Sequence, residues 1–200
     1  SADRRAVAGI RRTFQNLRLF REMTAIENVM VGLHADSRSE ILHSLLRTRK
    51  QKLEELEIAK KASEALEFVG LADAAGSVAE SLPYGHQRRL EIARAFVARP
   101  KLLLLDEPAA GLNTIEARRM VGLIRRVQAA GVTVILVEHH MEVVMKACDH
   151  ITVLNYGKML AGGSPSYIRD HAGVIEAYLG KKANTRTNQR QTAKVDHASS

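Results

Sequence analysis

Residues 81–113 read SLPYGHQRRLEIARAFVARPKLLLLDEPAAGLN, and this stretch decides the fold. Gly85 is expected to form a turn that opens a helix over His86–Val97. Leu90, Ala93, Phe96 and Val97 give that helix an apolar face, and Arg88, Arg89, Arg94 and Arg99 a basic one. A helix start preceded by glycine presents free N–H groups and a positive dipole end, a natural anion site. Leu102–Leu105, just after Pro100, reads as a strand buried on both faces. It ends in two adjacent carboxylates, Asp106 and Glu107.

Working outward, Asn113 and Glu116 are placed to cap a further helix whose buried face includes Ala117, Met120, Val121, Ile124 and Val127, with Gly131 as its stop. Val132–Val137 reads as a second buried strand, followed by Glu138, His139 and a short helix through Val143, Val144 and Ala147. Ile151–Leu154 reads as a third strand, and Asn155–Lys158 as a turn into Met159–Ala161. Ser164 before Pro165 resembles an N-cap with proline at the first helical position. Strands alternating with helices predict right-handed parallel crossovers and an α/β sheet.

Upstream, Thr24 and Glu27 have capping-box spacing, with Ile26, Val29, Met30 and Leu33 on one helix face behind them. Residues 39–69 read as a charged helical region with a stripe of Leu53, Leu56, Ala59, Leu66 and Val69, closed by Gly70.

Ligands of parallel α/β sheets bind beyond the carboxyl ends of the strands. Asp106 is placed there to hold magnesium, Glu107 to polarise an attacking water, and His139 to contact a terminal phosphate. Taken singly, each has a plainer reading. LLLLDEP could be a strand running into a capped turn, and His139 a surface or packing histidine. The basic helix placed just ahead of the double carboxylate makes coincidence a poor explanation.

Composition narrows the class. The 200 residues are 46% hydrophobic with one cysteine, Cys148, so the core is adequate and no internal disulfide forms. No apolar run reaches the roughly 18–20 residues that span a bilayer, so a cytoplasmic protein linked to any membrane through a partner is expected. The net charge of +8 raises the question of nucleic acid. Residues 181–200, however, hold five of the cations against one acid, Asp196, and read as a disordered basic tail. Stacking aromatics interleaved with basic residues are lacking, so no nucleic-acid partner is expected.

LPYGHQRRLEIARA resembles the signature motif of ABC-transporter ATPases, LLLLDEP their Walker B with its catalytic glutamate, and AGLN their D-loop. Gln15 in RRTFQNLRLF resembles the Q-loop glutamine, and His139 the switch histidine. The resemblance spans about residues 9 to 180 and is most specific for the ATP-binding subunits of branched-chain amino-acid importers. It implies a P-loop NTPase fold in its C-terminal part, with a helical signature subdomain and an incomplete RecA-like parallel sheet. The implied division is the Q-loop end of the core at 1–15, the helical subdomain at 16–99, the core at 100–180 and the tail at 181–200.

The implied cofactors are ATP and Mg2+, and the implied partners are a second ATPase subunit, permease subunits and, indirectly, a periplasmic or extracellular solute-binding protein. The chain would then lie on the cytoplasmic face of the plasma membrane. Gln15, Glu107 and His139 would be catalytic, Asp106 and Gln15 would hold magnesium, Leu82, Pro83, Tyr84, Gly85, His86 and Gln87 would meet the nucleotide of the partner subunit, and Asn113 of the D-loop would be a further nucleotide-binding residue.

Three positions depart from the family pattern: Pro83 stands in place of serine, His86 in place of glutamine, and His140 in place of the aspartate after the switch histidine. No G-x-x-x-x-G-K-[ST] occurs in the 200 residues, although the family places this phosphate-binding loop upstream of Gln15. The sequence is therefore expected to begin inside the domain, to leave a sheet with unpaired backbone groups, and to be inactive alone. The competing expectation is a non-catalytic module docking on a membrane subunit. An ABC ATPase of DNA maintenance would need a long coiled coil, for which residues 39–69 are too short.

Overall fold

The computed structural model describes residues 8–34 and 49–178. It contains two compact units, divided between Val143 and Val144.

The first unit is built on a three-stranded parallel sheet. Strand β2 (Leu102–Asp106) lies between β1 (Ile10–Arg12) and β3 (Thr133–Val137). Leu103 and Leu105 of β2 are buried while Leu102 and Leu104 are half-buried, as a central strand of leucines should be. β1 is too short and too basic to announce itself, and becomes a strand through its pairing with β2. β3 departs from expectation. It lies at the sheet edge, and Ile135 and Val137 are exposed rather than buried.

Helix α4 (Thr114–Ala129 in the chain order α1–α6) makes the crossover from β2 to β3 and buries Met120, Leu123, Ile124 and Val127. Leu123 was absent from the face read from sequence, whereas Ala117 and Val121 are only half-buried. The capping box is formed in full. Asn113 Oδ1 accepts from the N–H groups of Ile115 and Glu116, and Glu116 Oε2 accepts from the N–H of Asn113.

The long connection from β1 to β2 carries three helices packed on one another: α1 (Ala25–His34), α2 (Arg49–Phe68) and α3 (Tyr84–Phe96). Thr24 and Glu27 cap α1 reciprocally. Asn28, fully buried, takes the Phe20 N–H and donates to the carbonyls of Phe20, Met23 and Thr24, fixing the loop before α1. Helix α2 ends at Gly70, in the left-handed conformation expected of its cap (φ 70°). Its apolar stripe holds only in part. Ala62, Ala65, Leu66 and Val69 are buried and Phe68 stacks on Phe96, but Leu53 and Leu56 are exposed. The reason is length: α2 has 20 residues and outruns the 10 of α1 and the 13 of α3. Residues 39–48 of the predicted helical region lie outside the described residues.

Short helix α5 (Met141–Ala147) crosses the division. In the second unit the expected third strand, β4 (Ile151–Asn155), does not join the parallel sheet. It pairs antiparallel with β5 (Lys158–Gly163). Tyr156 and Gly157 both have positive φ, 48° and 76°, the pattern of a tight hairpin turn, and a two-residue turn makes the antiparallel neighbour the local one. Helix α6 (Pro165–Asp170) is capped by Ser164, whose Oγ accepts from the Tyr167 N–H, with proline in the first turn as read from sequence. Of the terminal segment, residues 179–200 and with them the predicted tail lie outside the described residues.

Gly32 marks the closest approach of α1 to α3. A methyl group there would run into the Arg94 carbonyl oxygen and come within 2.9 Å of Val97 Cγ1. Backbone cannot rotate away as a side chain can, so Gly32→Ala is expected to cost at least ~1–3 kcal/mol. A thermal-denaturation midpoint equal to that of the unmodified chain would contradict this packing.

Candidate functional site at the strand ends

The chain leaves β2 through Glu107. Its N–H still donates to the Val137 carbonyl at 2.9 Å, yet its φ is +47°, in the left-handed region that non-glycine residues seldom occupy. This one residue turns the backbone into the Pro108–Leu112 turn, closed by Ala110 N–H to Glu107 O and Leu112 N–H to Ala109 O. It also aims the carboxylate along the sheet edge.

There Glu107 Oε2 accepts from Gln15 Nε2 at 3.1 Å, and Oε1 lies 3.3 Å from His139 Nδ1. The three side chains come from segments just beyond β1, β2 and β3. Gln15, with its amide nitrogen committed to Glu107, leaves its amide oxygen for another partner. Asp106 stands one residue back in β2, its Oδ2 held by Arg12 Nη2 at 2.9 Å and its N–H reaching Thr13 Oγ1 at 3.4 Å. The structure thus brings Gln15, Asp106, Glu107 and His139 to one edge.

Sequence reasoning missed three residues here. Arg12 neutralises Asp106 from the neighbouring strand, and Thr13 is buried beneath it. Glu138 accepts from Ala109 N–H with Oε1 and from the His139 and His140 N–H groups with Oε2, at 3.0 to 3.1 Å. That one carboxylate fastens the histidine segment to the turn after Glu107. The only signal in the sequence was an acid at the end of an apolar strand.

The donors suit a hard cation. One carboxylate from Asp106 and the amide oxygen of Gln15 match magnesium, which takes few protein oxygens and completes its shell with water and phosphate. Among the described residues no group of three or more His, Cys, Asp and Glu side chains is arranged as a metal cage, so phosphate and water would complete such a shell.

Residues Leu82–Gln87 lie at the start of α3, and here the sequence reading is corrected. The helix begins at Tyr84, with Pro83 as N-cap and no side-chain cap. Gly85 makes no turn. It lies buried in the first turn, and its missing side chain admits Glu116, whose Oε1 would be 2.6 Å from a Cβ at this position. Gln87 folds back, its Nε2 donating to Leu82 O at 2.8 Å. Asn113, through the capping box with Glu116, borders the same helix start.

Arg88, read as part of a basic face, is buried, and so is Glu91. A cavity of about 50 Å³ is bordered by Gly85, His86, Arg89, Glu116 and Arg119. Burial, then Arg89 and Arg119, pull the His86 imidazole below its ordinary range, against the opposing pull of Glu116.

An ABC transporter family profile matches residues 2–110, more than half of the chain. The chain belongs to the ABC transporter ATPase family. Over 174 residues it is 48% identical to the high-affinity branched-chain amino acid transport ATP-binding protein BraF of Pseudomonas aeruginosa, covering 86% of this chain and 68% of that protein. It is 45% identical to the corresponding protein LivG of Escherichia coli K12 over the same shares. Among solved structures, the ADP conformation of MJ1267, an ATP-binding cassette of an ABC transporter, superposes with a TM-score of 0.72 at 27% identity, covering 89% of this chain and 71% of that one. This is the P-loop NTPase fold of ABC ATPases, as the sequence motifs implied. Among the described residues of this ABC ATPase, no helix is long and apolar enough to cross a membrane.

The depressed His86 pKa carries a sign. The folded form resists protonation, so the stability this group contributes is present above its ordinary value of 6.5 and is lost as the pH falls through the lowered one. His86→Gln is expected to make the fall in melting temperature from about pH 7 to about pH 5 shallower. Identical slopes would contradict the assignment.

Proposed function

We propose that this chain is the ATP-hydrolysing subunit of an importer for branched-chain amino acids. The observation that carries the reading is the line Gln15–Glu107–His139, joined by hydrogen bonds at the strand ends beside Asp106. Glu107 acts as general base toward water, with Gln15 and His139 fixing both its oxygens. Asp106 and Gln15 hold Mg2+, which would neutralise charge on the β- and γ-phosphates of ATP. His139 reports the presence of the γ-phosphate.

Leu82–Gln87 serve the nucleotide of a second ATPase subunit, packed head to tail, and Asn113 is the nucleotide-binding residue of the D-loop. The relatives' names support the amino-acid class, and permease subunits are the route by which a chain of this kind reaches the cytoplasmic face of the membrane, with a solute-binding protein on the far side. The proposed division keeps the helical signature subdomain at 16–99 and the core at 1–15 and 100–180. The 200 residues hold no G-x-x-x-x-G-K-[ST], the motif that supplies the phosphate cradle in the family pattern.

Two measurements test the reading. The purified 200-residue chain is expected to release no phosphate above a Glu107→Gln control, and Glu107-dependent turnover by it would contradict the missing cradle. Reconstituted as the complete subunit with its permease, it is expected to hydrolyse ATP at a rate raised by leucine-class solute and its binding protein. A basal rate insensitive to such solutes would remove the substrate class.

A further inference from the structure

Two charged side chains of α3 are buried without serving any neighbour on a second helix. The Arg88 and Glu91 side chains are 4% and 3% exposed, and both are spent on the segment that carries Gln15. Arg88 Nη2 donates to the Gln15 carbonyl at 2.7 Å and Nη1 to the Phe14 carbonyl at 3.3 Å. Glu91 Oε1 accepts from the Phe14 N–H at 3.3 Å. These are main-chain contacts, so they fix the path of the loop whatever its side chains.

The remaining guanidinium nitrogen points back into the signature motif. Arg88 Nε donates to the Tyr84 hydroxyl at 3.0 Å, and the guanidinium lies 5.2 Å from the centre of that ring. The Tyr84 ring in turn rests against Gly111 of AGLN: a Cβ on Gly111 would fall 3.1 Å from its Cε1. Gly111 has φ +76°, so both its conformation and its neighbour call for glycine. One continuous line of contact therefore runs from the Gln15 main chain through Arg88 and Tyr84 to the AGLN turn.

We infer that Arg88, braced by Glu91, is a positioning residue that locks the Gln15 loop, the start of α3 and the AGLN turn into one rigid unit. The inference rests on the ATPase reading above. A loop moving with the sensor glutamine then carries Tyr84 and the AGLN turn with it, so events at a subunit's own nucleotide reach the surface offered to its partner's. The choice of arginine is specific. Its planar fork serves two carbonyls and a phenol at once, which the single ammonium of lysine cannot. Burial holds the Glu91 carboxyl above its usual range despite the Phe14 N–H and Arg88, the mark of a desolvation cost that its partners do not fully offset.

Arg88→Lys tests this while keeping a cation beside Glu91, and the variant Arg88→Gln with Glu91→Gln removes both charges together should lysine fold poorly. Site-resolved amide exchange on the full chain is expected to rise at least tenfold at Phe14, and to rise at Ala110 and Leu112, with Leu90–Phe96 unchanged. In the transporter assembled around the complete subunit, kcat is expected to fall about tenfold with KM for ATP within about twofold. Exchange within twofold at Phe14, a rise spread evenly over α3, or an unchanged kcat in a loosened loop would each overturn the assignment. If the unmodified assembly turns over no ATP, the ATPase reading fails, and the exchange pattern still decides whether the clamp exists.

Discussion

The parallel register of β2 between β1 and β3 is the constraint on which the rest depends. Arg12 pairs with Leu104 and Asp106 with Val137, so all three strands end at the same edge. Parallel strands align their carboxyl ends by construction, and side chains from residues more than a hundred positions apart arrive together without any loop having to reach for them. The left-handed turn at Glu107 adds the last adjustment. It keeps the N–H in the ladder while swinging the carboxylate out to meet Gln15 and His139. A strained residue of this kind persists only where its surroundings hold it, and here β3, the Pro108–Leu112 turn and Glu138 do so.

The helical layer depends on a different device. α1 and α3 approach until only glycine fits at Gly32, and Asn28 satisfies three carbonyls in a fully buried position. These contacts hold the loop of residues 20–24 against α1. Phe14, Phe20 and Met23 nevertheless remain exposed on the segment around and after Gln15.

The site was legible where chemistry is tied to strand ends. Asp106, Glu107 and His139 follow apolar runs, and Gln15 follows a segment whose resemblance named it before its strand could be seen. Legibility failed where a residue type has two uses. Gly85 suggested a turn, but the glycine is needed for the space Glu116 occupies. Arg88 sits among Arg89 and Arg94 in a sequence that looks uniformly basic, and nothing in a period of 3.6 residues distinguishes the one aimed at buried carbonyls. Leu53 and Leu56 followed the apolar stripe of α2 but lie beyond the reach of its shorter neighbours. The β4–β5 hairpin was legible too: the turn read at Asn155–Lys158 is formed, with Tyr156 and Gly157 at positive φ.

Gln15, Glu107 and His139 are proposed to act as one unit at the strand ends. Single-turnover phosphate release by the assembled transporter, measured with Mg2+ and with transporter in saturating excess over ATP for Gln15→Ala, Glu107→Gln, His139→Ala and the triple variant, tests this. Strong non-additivity is expected, with the triple variant within about tenfold of the slowest single variant and ATP still bound by all four. Losses that simply multiply, as for three independent side chains, would contradict it.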